Sequence, residues 1–368
     1  MKGQWIGRTS GDQVGLIIAN VDDRGDHFSG VACTFPDDKS FLPSGISFNT
    51  KDKRTDFSFI TSTAPINPET GLPWTWEEFQ KRFPGISHSK KIEVSGHFEE
   101  NELFFNAQTD LGLKIESHIT KKPFSDISDL PGETKTWDGY KKHVATLSES
   151  GYLFRGQAEP WKLRTAFHRR GRYDLWRFIN EDIPKLHLRL TGRTEHLFNL
   201  QNPQEYGAFL NLGQHHGFPT PLLDWTFSPY AAAFFAFRNV PKKEATNEKK
   251  SVRVFIFNQR KWNPVPTPLV NLGTAWPTFS IMEFLAIDNE RAIPQQAVTT
   301  VTNIDDIEIY IRQKEDLNKE KYLMAIDIPW SERDKVIKEL SYMGITAGSM
   351  FPGLDGACEE LREKLFDE

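Results

Sequence analysis

Cysteine is almost missing from this sequence: Cys33 and Cys358 are its only two, far apart and without C-x-x-C or metal-ligand spacing. Neither a disulfide framework nor a cysteine-based zinc site is indicated, and a reducing, cytoplasmic setting is expected. Long apolar runs are missing too. The longest, "YAAAFFAF" at residues 230–237, is far too short to span a bilayer, and the opening "MKGQWIGRTSGD" lacks the basic start and apolar stretch of a signal peptide, so no membrane partner is expected. No sign of charge dominates. With 45 lysines and arginines against 50 acidic residues, the formal net charge is −5, which gives no global positive field for a long nucleic-acid backbone. Neither H-E-x-x-H nor G-x-S-x-G occurs, so a metal site and a hydrolase nucleophile elbow both lack their motif. The glycine-rich opening (Gly3, Gly7, Gly11, Gly15) has no phosphate-loop spacing or Lys-Ser/Thr ending, and a tight, bulged first strand is expected there.

What is present divides into two textures. The length of 368 residues, at roughly one domain per 150 residues, suggests two domains. Residues 1–120 hold short apolar or alternating runs such as "QVGLIIANV", "DFSFITSTA" and "NELFFNAQT", which recur every ten to fifteen residues between Gly, Asp, Asn and Pro. That rhythm predicts an all-β barrel or sandwich of about eight antiparallel strands, with Glu99, Glu100 and Asn101 turning the clearest hairpin. Residues 121–136, "KKPFSDISDLPGETKT", are polar with two prolines and read as a linker. From 137 to 368, helical patterns ("WDGYKKHVATL", "PQEYGAFLNLGQHHG") mix with strand-like runs ("VRVFIFN", "AVTTVTN", "KYLMAIDI"), which predicts an α+β domain. Near the end, Ser331 and Asp334 form a capping pattern, Ile337, Leu340 and Met343 an apolar face and Gly344 a stop. A second helix follows, whose Leu354, Cys358, Leu361 and Leu365 predict one docking stripe.

Three clusters carry candidate chemistry. In "YLFRGQ", Arg155 follows a short apolar strand and meets Gly156 and Gln157, so its guanidinium can clamp a phosphate or carboxylate of a ligand, or bridge an internal carboxylate. In "GQHHGFPTPLLDWTFSPYAAAFFAF", residues 213–237, Gly217 and Pro219 turn the chain into a strand that presents Asp224 and Thr226, and Ser228 stands before Pro229 as a helix N-cap. That helix start can also hold an anion. One of the adjacent histidines His215 and His216 is expected to bond Asp224 while the other lines a pocket; a Ser228, His216 and Asp224 triad can be drawn, although Ser228 reads better as a cap. In "NERAIPQQAVTTV", Arg291, Gln295 and Gln296 lead into a β-branched strand whose edge is expected to face Arg155.

These residues resemble a known family. Residues of about 135–360 look like the FRG domain, named for the tripeptide here at Phe154, Arg155 and Gly156, with a central "QH-x-G-x-PT-x-LLDWT-x-SP" signature matched by Gln214, His215, Gly217, Pro219, Thr220 and Leu222 through Pro229. The ending "GITAGSMFPGLDGA" resembles the family's close. Pro221 stands where the family usually has arginine, and Ala297 and Thr299 replace the glycine and phenylalanine of its late element. The order of motifs further resembles ADP-ribosyltransferases of the arginine/serine-threonine-serine/glutamate type. That resemblance implies NAD as cofactor or substrate, with Arg155, Gly156, Gln157, His215, His216, Thr226, Ser228 and Arg291 around it. It also implies a catalytic set of Arg155, Asp224 and Gln295, with Glu283, Glu290 or Asp224 supplying the carboxylate that a glutamine cannot. The implied activity is ADP-ribosyl transfer to a protein or nucleic-acid acceptor, or NAD cleavage, in an effector of bacterial conflict or phage defence whose β-rich module recognises a partner. The alternative is a non-catalytic binder of a nucleotide or nucleic-acid end.

Overall fold

The computed structural model describes residues 1–366 except 124, 149–150, 248 and 263–271. Eight strands run β1 (Gly3–Gly11), β2 (Gly15–Asp23), β3 (Phe28–Pro36), β4 (Ser44–Asn49), β5 (Asp56–Pro65), β6 (Lys91–Phe98), β7 (Glu102–Thr109) and β8 (Lys114–Thr120). Each pairs antiparallel with the next, and β8 returns to β1 with Ser117 opposite Thr9, so the sheet closes into a barrel with no free edge. Short links make the path a meander; at the predicted turn the Glu99 amide bonds the Glu102 carbonyl at 2.9 Å. The first strand is regular, not bulged: its register to β2 runs unbroken from Gly3 opposite Val21 to Thr9 opposite Gly15. Gly7 is small because a Cβ there would meet Ile119 at 2.7 Å. A helix that the strand rhythm concealed, Trp76–Arg82, interrupts the meander after β5, started by a Thr75/Glu78 capping box and anchored by buried Phe79.

The second domain is built on a seven-stranded sheet of β9 (Gly132–Thr134), β10 (Tyr152–Gln157), β11 (Leu222–Thr226), β12 (Ser251–Asn258), β13 (Phe279–Met282), β14 (Ala297–Thr302) and β15 (Leu323–Pro329), in the order β13-β14-β11-β10-β12-β15-β9. All neighbours are antiparallel except β15 and β9. The linker reading of 121–136 is therefore too long: residues 132–134 are an edge strand, whose parallel partner nearly two hundred residues on leaves no local signature. Helices Trp137–Val144, Pro229–Phe237 and Arg333–Tyr342 cover one face through Tyr140, Phe237, Val336 and Leu340. On the other, Leu153, Phe255 and Phe257 pack against Ile307 and Ile311 of helix Ile307–Asn318. Burial on both faces explains the near-continuous apolar run of β12.

Two C-terminal expectations change. Glu332, without a side-chain capping bond, precedes helix Arg333–Tyr342, although Gly344 does end the segment at φ +77°. In the last helix, Leu354–Leu365, the expected docking stripe faces solvent: Leu354, Leu361 and Leu365 are 85%, 57% and 63% exposed, and Cys358 is exposed. Other contacts hold that helix. Glu360 accepts from the Thr346 hydroxyl at 2.7 Å, Arg238 pairs with Glu359 at 2.5 Å, and a Cβ on Gly356 would collide with the Phe351 carbonyl.

The outer wall of the barrel rests on the second domain. Phe35 stacks on Trp276 with centroids 4.0 Å apart, and the Gln4 amide donates to the Asn303 carbonyl at 2.7 Å. Asp22, with 0% exposure, accepts from Arg172 Nε at 2.6 Å, Arg177 Nη1 at 3.0 Å and the Tyr173 amide at 2.7 Å. No helix among the described residues is long and apolar enough to cross a membrane.

Candidate functional site

The cleft begins where a ladder stops. Strands β10 and β11 pair only at Phe154 and Thr226, then diverge, and the Arg155 side chain enters the gap. Its Nη1 donates to the Asp224 main-chain carbonyl at 2.5 Å, while Nε is buried without a hydrogen-bond partner. Among the described residues, no carboxylate lies within ion-pair distance of Arg155, so it is not the internal bridge that was the plainer alternative. Burial pushes its pKa down to about 10, opposed by the charge of Asp224 and reinforced by that of Arg169; the guanidinium stays charged at neutral pH.

Arg155 stands between two hollows of about 360 and 430 Å³ that share Arg155, Gly156 and Phe235 in their walls. The first is lined by Gln214, His215, Asp224, Thr226, Arg291 and Gln295 together with Phe235 and Phe351; the second adds Arg169, Trp161 and Lys250. Arg169 and Arg291 likewise lack ion pairs among the described residues. Arg291 instead lies over the Phe351 ring at 5.5 Å, and the pKa of Arg169 is lowered by burial and by Arg164, with Asp224 opposing. Three arginines without carboxylate partners among the described residues converge on the cleft, whose first hollow sets Arg155 and Arg291 against Asp224, while the second holds Glu159 and Glu244 beside Lys250. The first hollow therefore carries an excess of positive charge, which favours anionic groups there.

Asp224 is held by an amide, not by a histidine. Gln214 Nε2 donates to its Oδ1 at 2.5 Å, and the Gln214 carbonyl oxygen takes the Thr220 hydroxyl. His215 turns elsewhere: its Nδ1 is 2.6 Å from Asn289 Oδ1, and its ring lines the first hollow. His216 caps helix Pro203–His215 in the exposed turn before Gly217, whose φ is +83°, and does not reach the cleft. No Ser228–His216–Asp224 triad is assembled. Ser228 accepts the Ala231 amide at 3.1 Å as the N-cap, and Thr226 Oγ1 donates to the Gln295 carbonyl at 2.7 Å while receiving the Ser228 amide at 3.0 Å. Those hydroxyls brace the turn, although Thr226 still touches the cleft.

Other predicted positions move as well. Gly156 is required by helix packing: a Cβ would fall 1.8 Å from the Ala232 carbonyl, so the backbone that approaches it closely is that of the helix Pro229–Phe237. Gln157 is buried and donates to the Trp161 carbonyl at 2.6 Å, which shapes the second hollow from behind. Gln295 reaches the first hollow with its amide tied to the Met350 carbonyl at 2.9 Å. Glu283 and Glu290 are exposed and line neither hollow, so neither supplies the carboxylate that the sequence reading assigned to the late element. The reason is local: Glu283 follows the edge strand β13, and Glu290 lies beside the buried Asn289 on a turn that points it outward. Arg169, Phe235 and Phe351 went unnoticed as site residues. Arg169 ends the short helix Ala166–Arg169 capped by Thr165, a capping signal present in "TAFHR".

Fold and site together define a two-domain protein: a closed eight-stranded barrel joined to an α+β domain with an arginine-rich cleft. The family model described as the FRG domain matches residues 150–245, so the chain carries an FRG domain. That match contains Arg155, Arg169, Gln214, His215 and Asp224, and stops short of Arg291 and Gln295. Neither curated proteins nor solved structures give a match to the chain.

Proposed function

We propose that the FRG cleft binds NAD through its pyrophosphate and breaks the nicotinamide–ribose bond, passing ADP-ribose to an acceptor or to water. The observation that carries this reading is the half-buried guanidinium of Arg155, which has no ion-pair partner among the described residues and whose Nε is without a hydrogen bond, with Arg169 and Arg291 in the same cleft. A diphosphate takes two parallel hydrogen bonds from an arginine fork and neutralises the converging charge. In the reaction the C–N bond breaks with its electron pair leaving on nicotinamide, and a water or acceptor oxygen or nitrogen bonds to the ribose carbon and loses a proton. Positive charge develops on the ribose, and Asp224 is the carboxylate in the first hollow that can stabilise it. The Gln214 amide keeps that carboxylate in place. Aromatic Phe235 and Phe351 offer a wall for a flat ring. Such an enzyme depletes NAD or modifies a target, which suits an effector in bacterial conflict or phage defence.

The test is release of nicotinamide from NAD, with and without cell extract, followed for wild type and Asp224→Asn. The expected result is release by wild type, loss in the variant, and retained ADP-ribose affinity in both. No release and no transferred label in any fraction would overturn the catalytic reading. A second reading, a binding-only nucleotide site, is favoured by one observation: among the described residues, no glutamate lines the first hollow, where Asp224 stands. It predicts ADP-ribose binding with NAD left intact.

A further inference from the structure

The barrel carries a second feature, independent of the FRG cleft. Inward positions of β5, β7 and β3 are only half-buried although they line its interior: Phe57 and Phe59, Phe105, and Ala32. Side chains that face a filled core are covered; these face a cavity of about 160 Å³. An eight-stranded barrel is just wide enough to be filled by its own side chains or to hold one small ligand, and here the filling is incomplete. One end is shut. Trp5 is fully buried with its indole N–H on the Met1 carbonyl at 2.6 Å, and Phe28 meets Phe98 edge-on at 5.6 Å.

The other end is ringed by the links β1–β2, β3–β4, β5–β6 and β7–β8, which contribute Gln13, Phe41, Ile86 and Leu111 to the lining. Val14, Ile86 and Leu111 stand roughly half-exposed at this rim, an apolar collar where a barrel end would ordinarily be polar. Among the described residues, no lysine, arginine, aspartate or glutamate lines the cavity. Its polar groups are hydroxyls, the Gln13 amide, the Met1 amino group, whose pKa burial pushes down to about 5, and His88, whose pKa burial also lowers. An apolar cavity of about 150 Å³ is known to stay dry and accept a benzene-sized molecule. A carboxylate-bearing lipid would find no cation here to pair with and would lose its hydration.

We propose that the barrel is a binding site for a neutral, aromatic or short-alkyl small molecule that enters past Val14, Ile86 and Leu111. The barrel then reports a small ligand to the domain packed on its outer wall. Stacked rings prepare the interior for such a guest: Phe48 and Phe59 lie 4.7 Å apart and nearly parallel, with Phe57 on the same side. Every residue lining the cavity belongs to the barrel, so the site needs nothing from the second domain.

The full chain is titrated calorimetrically with indole, a neutral aromatic probe of a size that the cavity admits. Saturable 1:1 binding is expected, and Ala32→Phe or Ala107→Phe, each filling the cavity from one wall, weakens it at least tenfold with the far-ultraviolet circular dichroism unchanged. Ala32→Leu serves should a phenylalanine disturb the barrel. Ile60→Ser, on the exposed outer face, leaves binding as it was. 1-Octanol displaces the probe and octanoate does so at least tenfold less well. Absence of saturable binding, or filled and folded variants that bind like wild type, would overturn the site; equal displacement by octanoate would overturn its neutral class.

Discussion

Gln214 and Asp224, ten residues apart on a helix and a strand, are joined by an amide-to-carboxylate hydrogen bond of 2.5 Å, with Thr220 completing the chain on the far side of the glutamine. Three positions of the FRG signature thus form one physical unit that orients a single carboxylate oxygen. Gln214→Leu leaves the Thr220 hydroxyl unpaired and lets Asp224 rotate. Nicotinamide release is expected to fall about 10- to 100-fold, the cost of one lost orienting hydrogen bond to a charged group. Steady-state kinetics check this, and Gln214→Glu should be worse because it sets a second carboxylate against Asp224.

Arg155 is expected to contribute to ligand binding far more than to stability. Arg155→Ala removes a desolvated charge that has no ion-pair partner among the described residues and only the longer-range attraction of Asp224, so the thermal midpoint is expected to hold or rise. ADP-ribose affinity should fall roughly 10- to 100-fold, the loss of a charge-assisted pair of bonds worth about 1.5–3 kcal/mol. Arg155→Lys recovers only part, since an ammonium cannot form the fork. Calorimetric titration beside a melting curve separates the two effects.

Gly156 tolerates no side chain. With a Cβ 1.8 Å from the Ala232 carbonyl, Gly156→Ala must push the helix Pro229–Phe237 off the sheet. A loss of about 3 kcal/mol or more is expected, at the upper end of overpacking costs. Denaturant unfolding measures it; an unchanged midpoint would show that the strand and helix are not in the register described.

The junction of barrel and second domain hangs on Asp22. Asp22→Ala leaves the Tyr173 amide without its acceptor and removes the buried carboxylate that Arg172 and Arg177 share, although Arg172 keeps Asp182 and Arg177 keeps Glu181, and a loss of about 1–3 kcal/mol is expected. Limited proteolysis should then cut between the domains where the wild type resists.

Acid should act on this region in two opposed ways. His168 is buried, with Nδ1 2.7 Å from Thr165 Oγ1, and burial together with Arg164 pushes its pKa down to about 3. The unfolded chain takes up that proton near its ordinary value of about 6.5, so stability is lost as pH falls from about 6.5 toward 3. Asp174 runs the other way: burial raises it to about 6, the folded state holds the extra proton, and stability is lost as pH rises from about 3.8 through 6. Asp174→Asn keeps an N-cap oxygen for the Arg177 amide and should steepen the acid side of the stability profile while raising stability at pH 7. Unfolding midpoints from pH 4 to 8 for both proteins decide it.

The sequence by itself determined what depends on neighbours along the chain. Alternating runs with turns between them produced eight strands, because each pairs with the next and the closing pair needs only the two ends of the series. Ser228 as an N-cap, Gly217 and Gly344 at positive φ, and the helices at 137 and 203 were legible for the same reason: a cap or a turn is settled within a few residues. The signature around Asp224 was legible as a motif, though not as a mechanism. Tertiary structure alone decided which groups meet. The Asp224 partner is Gln214 because the turn at Gly217 swings His216 into solvent and sends His215 to Asn289. Glu283 and Glu290 lose the catalytic assignment because β13 and the turn at Asn289 face them outward. The last helix leaves its apolar stripe open because polar bonds from Glu359 and Glu360, not apolar contacts, dock it. Asp22, three cleft arginines without carboxylate partners among the described residues, and a barrel left hollow at Phe57, Phe59 and Ala32 all depend on contacts between distant segments, and local pattern carries no record of those.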